Sequence, residues 1–283
     1  MFRHSPIYLT GLPRSGTTWV AAILGAASGI KYIHEPFNSD IHPELAPYRN
    51  QFLQAGDLAP EFAPYCRAAF SGLPKTPLAP ERMSRIYRQF PWWPGRLLIK
   101  DVHTFLALDW ISQRFTPKIV ITIRHPCAIA ESWARLGWQT QKAFSRLLDQ
   151  PELTRTYLAP FEPVLETAET FWQTMGALWG ATYFVISQQL NHHPEWILVQ
   201  HEAFCRDSIS SYQQLFEQLN LNWSPPVEKL LMASTQSQSH HPYSTQRIAA
   251  QEAKKWQERL TLEQIQQVWE FAEPFGLNQY GEF

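Results

Sequence analysis

Residues 7–19 read IYLTGLPRSGTTW, in which a short apolar run leads into a loop with glycines at positions 11 and 16. The run Ile7–Thr10 predicts a buried strand, and the segment Thr17–Ala27 predicts a helix. A glycine loop between a strand and a helix directs backbone N–H groups and the positive end of the helix toward one point. This stretch therefore predicts an anion cradle within an α/β fold.

The two glycines have the spacing of the nucleoside triphosphate loop GxxxxGK[ST], but Thr17 stands where that loop has its lysine. Arg14 supplies a positive charge within the loop instead. A kinase or triphosphatase would also hold magnesium, commonly through an acidic residue at the end of a second strand. A P-loop kinase therefore explains the glycines but not Thr17, and it stays the second enzyme hypothesis.

Apolar runs of strand length recur along the chain, and helical patterns fill most of the gaps between them. This alternation is typical of βαβ units with a parallel sheet. We predict a single α/β domain over residues 1–283, with a P-loop-like three-layer αβα architecture around a central parallel sheet. Pro126 and Thr261 each mark the start of a helix. Besides Ile7–Thr10, the predicted strands are Lys31–His34, Arg96–Ile99, Lys118–Ile123 and Trp196–Val199.

Three segments between the strands have a distinct composition. Residues 40–94 are rich in proline and are predicted to form an insertion that covers the acceptor, with helices near residues 44–54 and 80–90. Apolar residues at intervals of three and four predict one long core-facing helix over residues 164–191. The polar stretch 234–245 predicts a mobile loop.

Composition restricts the classes of function. The 283 residues carry a net charge of −1 and 17% charged side chains, which does not suit a nucleic-acid-binding protein. Cys66, Cys127 and Cys205 are far apart and odd in number, so we expect reduced thiols rather than disulfides or a zinc site. We find neither an apolar run of the roughly 20 residues that span a bilayer nor a signal peptide. We expect a cytoplasmic protein with no membrane span and no metal.

The loop itself resembles a known phosphosulfate site. PRSGTTW at residues 13–19 is similar to the 5′-phosphosulfate loop of sulfotransferases that use 3′-phosphoadenosine 5′-phosphosulfate (PAPS) as the sulfuryl donor. The resemblance implies the P-loop-like fold, PAPS as co-substrate and 3′-phosphoadenosine 5′-phosphate (PAP) as product. It places Trp19 near the adenine, and it implies that the 5′-phosphate and sulfate are held by Arg14, Ser15, Gly16, Thr17 and Thr18.

A second motif supports the same family. Residues 118–133, KIVITIRHPCAIAESW, combine an apolar strand that ends in Arg124 with a proline-started helix that carries Ser132. Members of the family place an arginine at such a strand end and a serine eight residues later, and both contact the 3′-phosphate of the donor. A guanidinium can grip a phosphate with two hydrogen bonds while a hydroxyl donates from the side.

The family's third segment is matched less closely. Residues 244–256, STQRIAAQEAKKW, resemble it through Trp256 and the helix start that follows, but the glycine of the family pattern is absent. One residue of this segment would close over the 3′-phosphate. The sequence leaves that choice open among Ser244, Arg247, Lys254 and Lys255.

Ligands of parallel sheets bind outside the carboxyl ends of the strands, where the sequence places Arg14, Glu35, Lys100, His103 and Arg124. Sulfuryl transfer is an in-line displacement, in which the acceptor attacks sulfur while negative charge builds up on the sulfate oxygens and the departing phosphate. The cations Arg14 and Lys100 would stabilise that charge, and a base must take the acceptor proton.

Two residues compete for the role of base. Glu35 lies 21 residues after Arg14, which resembles the glutamate of the Golgi carbohydrate and tyrosylprotein sulfotransferases. It is followed by proline, as in the carbohydrate enzymes. His103 follows Lys100 by three residues, whereas the catalytic histidine of cytosolic members follows its lysine by two. We assign the base to Glu35 and keep His103 as the alternative. Glu35 is otherwise a strand-end carboxylate paired with Arg14 or Lys100.

The acceptor is predicted from the Glu35 motif and from the tryptophan content. Glu35 with its proline resembles the carbohydrate enzymes, so a glycan hydroxyl is the first expectation, and the 12 tryptophans would suit sugar stacking. Tyrosine, lipid and small phenolic acceptors stay open. A nucleotide- or sugar-binding protein without catalysis is the third hypothesis, and the oligomeric state is not predicted.

Overall fold

A computed structural model describes residues 4–74, 95–236 and 253–277. Five parallel strands form one sheet in the order β2-β3-β1-β4-β5. Helices cover both faces of the sheet, so the predicted α/β fold with a central parallel sheet is confirmed. The strands are β1 (Ile7–Thr10), β2 (Ile30–His34), β3 (Arg96–Lys100), β4 (Lys118–Ile123) and β5 (Ile197–Gln200).

Helices account for most of the remaining described chain. They are α1 (Thr17–Gly25), α2 (Ala63–Phe70), α3 (Leu108–Phe115), α4 (Pro126–Arg135), α5 (Gln141–Leu148), α6 (Phe171–His192), α7 (His201–Arg206), α8 (Ser208–Gln218), α9 (Pro225–Gln236), α10 (Lys255–Arg259) and α11 (Leu262–Ala272). Short helical turns lie between α5 and α6, at Pro43–Tyr48 and at Glu273–Phe275.

The sheet separates two hydrophobic cores. Successive residues of a strand point to opposite faces, so Ile7 and Leu9 lie in the core beneath α1, α8 and α9. Tyr8 lies in the larger core beneath α3, α4 and α6. Every residue of β1 and β3 is buried, whereas the edge strands β2 and β5 are partly exposed. Strands with both faces covered carry near-continuous apolar runs, which explains why residues 7–9 and 97–99 show no alternation.

The long helix begins later than the apolar pattern predicts. A capping box at Thr170 and Gln173 starts α6, and a separate turn over Glu162–Glu166 precedes it. The prediction of one helix from residue 164 was therefore wrong at its start, because the cap satisfies the first N–H groups of α6 at Thr170. The predicted helix starts at Pro126 and Thr261 are confirmed, the latter by a capping box with Gln264.

The segment after β2 forms less helix than predicted. A 3₁₀ turn over Pro43–Tyr48 replaces the helix predicted for residues 44–54, because Pro47 interrupts it and Asn50 is left-handed with φ +58°. The helix predicted near residues 80–90 lies outside the described residues. Of the loop predicted over residues 234–245, the first three residues belong to α9 and the others are not described. No helix in the described ranges has the length and apolar character needed to cross a bilayer.

Candidate active site

A cavity of about 740 Å³ opens at the carboxyl end of the sheet. Every strand contributes a residue to it, at or just beyond the strand end. In strand order these are Arg14, Glu35, Lys100, Arg124 and His201. The convergence predicted for the first four residues is therefore seen, and His201 is an addition.

The loop between β1 and α1 depends on its two glycines. Gly11 has φ +148°, and a Cβ there would lie 2.4 Å from the carbonyl oxygen of Thr122. Gly16 has φ +101°, and a Cβ there would lie 2.5 Å from Nδ1 of His201. Both positions combine a backbone region that L-residues avoid with a close neighbour. The loop therefore bends tightly enough to direct the start of α1 into the cavity.

A buried hydrogen-bond network supports this loop from below. Ser15 is fully buried, and its Oγ lies 2.6 Å from Oγ1 of Thr122. The Tyr183 hydroxyl donates to the Thr122 carbonyl at 2.8 Å and accepts from the Leu12 N–H at 3.3 Å. The Ser15 side chain is thus bonded to β4, while Thr17, Thr18 and Gly16 line the cavity.

Trp19 closes the side of the cavity next to α9. Its indole Nε1 donates to Ser234 Oγ at 3.0 Å, and its ring meets the His201 imidazole edge to face with centroids 5.8 Å apart. Trp19, Ser234 and His201 all line the cavity. Trp19 therefore lies at the cavity wall, and nothing in the sequence connected it with Ser234.

Arg14, Ser132 and Arg124 form a second network at the cavity wall. Arg14 Nε donates to Ser132 Oγ at 2.9 Å, and an Arg124 terminal nitrogen donates to the Arg14 carbonyl oxygen at 3.2 Å. Arg14 itself is left-handed with φ +76°. The two motifs that the sequence singled out, 118–133 and the glycine loop, are thus joined by direct hydrogen bonds.

Arg124 keeps part of its hydrogen-bonding capacity unused. Its buried Nε has no hydrogen-bond partner among the described residues. The nearby Glu202 carboxylate accepts from the His125 N–H at 2.9 Å. Burial raises the pKa of Glu202, although the hydrogen bond from His125 and the charge of Arg124 act in the opposite direction. Arg124 therefore presents a buried N–H donor beside the cavity that it lines.

Glu35 and Lys100 are brought together by strand pairing. β2 and β3 pair with His34 opposite Lys100, and the Glu35 N–H donates to the Lys100 carbonyl oxygen at 2.7 Å. The Lys100 ammonium donates to Glu35 Oε1, and His103 Nε2 lies 3.5 Å from Glu35 Oε2. Of the two partners predicted for Glu35, Arg14 and Lys100, the structure selects Lys100.

Electrostatics fix the charge states of this cluster. Burial alone would raise the pKa of the Glu35 carboxyl, but the His103 imidazole and the Lys100 charge hold that pKa well below its usual range. Burial, together with the charge of Lys100, lowers the pKa of His34 to about 4. At neutral pH Glu35 is therefore an anion and His34 is neutral.

Asp101, the acidic residue next to Lys100, has a structural role. It is fully buried, and its Oδ1 accepts from the N–H groups of His103 and Thr104 at 2.8 and 3.1 Å. Its Oδ2 accepts from the Phe37 N–H at 3.3 Å. These bonds hold the segment that carries His103 against the segment that follows Glu35. In the described ranges, no group of three or more His, Cys, Asp or Glu residues could hold a metal ion.

The third segment is only partly described. Ser244 and Arg247 lie outside the described residues, and neither Lys254 nor Lys255 is among the described residues that line the cavity. Trp256 is buried and stacks on the His125 ring with centroids 4.3 Å apart. In this structure Trp256 therefore supports the residue that follows Arg124.

The sequence motifs did not indicate several of the residues that line the cavity. His201 follows β5, so its place at a strand end was the available signal, whereas Arg49, Gln139 and Trp138 lie in segments without a motif. Trp133 closes the second motif, and its indole Nε1 donates to the Pro13 carbonyl oxygen at 3.0 Å.

Comparison with known proteins defines the class. The sequence model of the sulfotransferase family matches residues 6–225. The chain therefore belongs to the sulfotransferase family, whose enzymes transfer sulfuryl groups to acceptors. No curated protein sequence matches the chain.

Solved sulfotransferase structures are similar to this chain over most of its length. The sulfotransferase domain from the curacin biosynthetic pathway is 14% identical, with a TM-score of 0.52 over 95% of this chain and 98% of that chain. The sulfotransferase domain of the Synechococcus PCC 7002 olefin synthase is 16% identical, with a TM-score of 0.48 and coverage of 95% and 96%. Mouse sulfotransferase SULT7A1, solved with PAP, is 13% identical, with a TM-score of 0.47 and coverage of 99% and 90%.

Proposed function

We propose that this sulfotransferase moves the sulfuryl group of PAPS onto an acceptor hydroxyl and releases PAP. The observation that carries the proposal is the meeting, in one cavity, of the glycine loop, of Arg124 and of the Glu35–Lys100–His103 cluster. An anion cradle, a second phosphate grip and a proton acceptor are the three parts that the reaction needs. All three open onto the same space.

The 5′-phosphosulfate would lie over the glycine loop. Gly16 presents the start of α1 to the cavity without a side chain, and Thr17 and Thr18 line the same wall. Helix N-termini stabilise anions through their N–H groups and the helix dipole. Arg14, which lines the cavity beside them, would add the charge that a P-loop lysine supplies in kinases.

The 3′-phosphate would bind between Arg124 and Ser132. Arg124 lines the cavity, and its buried Nε has no hydrogen-bond partner among the described residues. Ser132 accepts from Arg14, which leaves its own hydroxyl hydrogen free to donate to a phosphate oxygen. Trp19, at the wall beside Ser234, would stack near the adenine.

The reaction is a substitution at sulfur. The acceptor oxygen forms the new S–O bond while the bond from sulfur to the 5′-phosphate oxygen of PAPS breaks, and PAP leaves with that electron pair. Lys100 and Arg14 would stabilise the charge that builds up on the sulfate and phosphate oxygens. The acceptor proton passes to a base on the protein.

Glu35 is the base that we propose. Its side chain is 18% exposed against 7% for His103, so it reaches the acceptor space more readily. In the free protein the contact with His103 and then the ion pair with Lys100 lower its pKa and make it a weak base. When Lys100 turns to the incoming sulfate, the carboxylate loses its counter-charge and becomes more basic. Donor binding would thus prepare the base.

His103 is the alternative base, on a separate observation. It lines the cavity, and its buried Nε2 lies 3.5 Å from Glu35 Oε2. In this alternative His103 would take the acceptor proton, and Glu35 would orient the His103 ring.

Two tryptophans and the three cysteines bear on the acceptor and the location. Trp133 and Trp138 line the cavity with their rings edge to face, 5.4 Å apart, and such a wall suits the apolar face of a sugar. We therefore propose a carbohydrate hydroxyl as acceptor. All three cysteines are buried thiols, which suits the cytoplasm that we propose as the location.

The test is transfer of radiolabelled sulfate from PAPS into a cell extract, with PAP binding measured by calorimetry. Glu35→Gln should lower turnover by about 100-fold or more, the usual contribution of a general base, and leave the PAP Kd within about threefold. Glu195→Gln, at an exposed carboxylate, is the matched control. Retained turnover in Glu35→Gln with loss in His103→Gln would assign the base to His103.

Two further outcomes would replace the proposal. Turnover with ATP and magnesium but none with PAPS would make the chain a kinase. Saturable PAP binding without label transfer to any extract component would make it a binding protein.

A further inference from the structure

A second, smaller cavity shares a wall with the main cavity. It has a volume of about 150 Å³, and the two share His103, Trp133, Gln139 and Arg49 among their lining residues. An engineered protein cavity of about 150 Å³ takes up benzene. This side cavity can therefore hold one substituent of an acceptor whose hydroxyl group lies at Glu35 and His103.

Three cations converge on the side cavity. Arg49 follows the 3₁₀ turn, and Lys142 and Arg146 lie on α5. Lys142 and Arg146 are four residues apart on one helix, a spacing at which like charges repel. Burial, and next the charge of Arg49, lowers the pKa of Arg146, so these cations are close enough to disfavour one another. Their gathering costs stability in the free protein.

Little of this charge is neutralised within the described residues. Arg49 donates to Asp40 at 3.0 Å, and the Asp40 side chain is 73% exposed. No carboxylate of the described residues forms an ion pair with Lys142 or Arg146. The described residues thus set one exposed carboxylate, Asp40, against three cations, and a concave site with excess positive charge suits an anionic group.

The cavity is held in shape by buried hydrogen bonds. The Asn50 N–H donates to the His103 carbonyl oxygen at 2.6 Å, and Gln150 Nε2 donates to the carbonyl oxygens of Asn50 and Arg146 at 3.0 and 2.7 Å. Gln150 Oε1 accepts from the Phe52 N–H at 2.6 Å. One buried glutamine therefore locks the loop after Arg49 onto the end of α5.

We infer that the acceptor carries an anionic group, a carboxylate, sulfate or phosphate, which the side cavity binds through Arg146, Lys142 and Arg49. The inference rests on the proposed sulfuryl transfer and specifies its acceptor. A neutral acceptor would leave three converging cations without a function. The shared wall at His103 sets the spacing between this anionic group and the hydroxyl that is sulfated.

The test begins by passing small molecules and glycans of a cell extract, freed of protein, over an anion exchanger at neutral pH. The retained and unretained fractions are then incubated separately with the enzyme and radiolabelled PAPS. We expect label only in the retained fraction. Methyl esterification, phosphatase and sulfatase treatment of that fraction before the reaction distinguish a carboxylate, a phosphate and a sulfate.

Variants of the cations link this result to the cavity. Arg146→Gln and Lys142→Gln should each raise the acceptor KM by about tenfold, the effect of one lost hydrogen bond to a charged group, without changing the PAP Kd. Arg146→Lys should keep part of the affinity. Lys229→Gln, at an exposed lysine on α9, is the matched control and should leave the KM unchanged.

The outcomes separate the two proposals. Label in the unretained fraction, or an unchanged acceptor KM in both Arg146→Gln and Lys142→Gln, would overturn the anionic acceptor and leave sulfuryl transfer standing. Label in neither fraction, with PAP still bound, would overturn the proposed function together with this inference.

Discussion

Replacing Gly16 by alanine tests whether the anion cradle requires a position without a side chain. Gly16 has φ +101°, and its Cβ would lie 2.5 Å from Nδ1 of His201. A left-handed backbone costs an L-residue about 1–2 kcal/mol, and overpacking of a buried contact adds about 1–3 kcal/mol. We expect Gly16→Ala to lower the free energy of unfolding by roughly 2–5 kcal/mol.

Gly29→Ala is the matched control for the backbone contribution. Gly29 has φ +79°, but its Cβ would meet no atom within 4 Å. Its expected loss is about 1–2 kcal/mol, from the backbone alone, with an unchanged PAP Kd. Urea unfolding measures the stabilities, and calorimetry measures the PAP Kd, which should rise at least about tenfold in Gly16→Ala.

A double variant separates crowding from backbone strain. Adding His201→Ala to Gly16→Ala removes the side chain that the new Cβ meets, so part of the lost stability should return. The same stability and the same PAP Kd in Gly16→Ala and Gly29→Ala would show that position 16 does not require the absence of a side chain.

Two more predictions concern the support of the site. Thr122→Val removes the partner of the buried Ser15 hydroxyl and should lower the free energy of unfolding, measured in urea, by about 1–3 kcal/mol. The double variant with Ser15→Ala should lose less stability than the sum of the two single variants. Strictly additive losses would contradict the Ser15–Thr122 hydrogen bond. Burial, followed by the charge of Arg124, lowers the pKa of His125 to about 3. Because the unfolded value is about 6.5, the stability from neutral His125 is present above that pH and is lost as the pH falls toward 3, by up to about 1.4 kcal/mol per pH unit. Urea unfolding between pH 7 and 4 should show a weaker pH dependence in His125→Asn, and identical slopes would count against this role.

The strand ends could be read from the sequence because buried parallel strands are marked by local apolar runs. Glu35, Lys100 and Arg124 each come at or directly after such a run, and parallel strands bring their carboxyl ends to one edge. Which strand ends become neighbours is a long-range property. The choice of Lys100 over Arg14 as the partner of Glu35 follows from the pairing of β2 with β3, which the local pattern does not contain.

The direction in which a side chain points could not be predicted from the sequence either. Ser15 stands inside a phosphosulfate motif, yet its hydroxyl is bonded to Thr122 beneath the loop. Arg146 lies 43 residues beyond His103 in the chain but lines the same side cavity, because Gln150 fixes α5 to the loop after Arg49. Contacts of this kind arise from tertiary packing, and no spacing rule predicts them.

The backbone gives an independent indication of where the function lies. Five residues other than glycine have a positive φ in the described chain, and three of them, Arg14, Glu35 and Asn50, line one of the two joined cavities. Asparagine tolerates this region, but for arginine and glutamate it costs about 1–2 kcal/mol. Strain of this size persists where the surrounding structure holds it and the side chain must point in one direction. Hydrogen bonds to the Arg14 carbonyl oxygen and from the Glu35 N–H stabilise these two backbone conformations. The fold therefore accepts backbone strain at the two residues that we place at the transferred sulfate and at the acceptor proton.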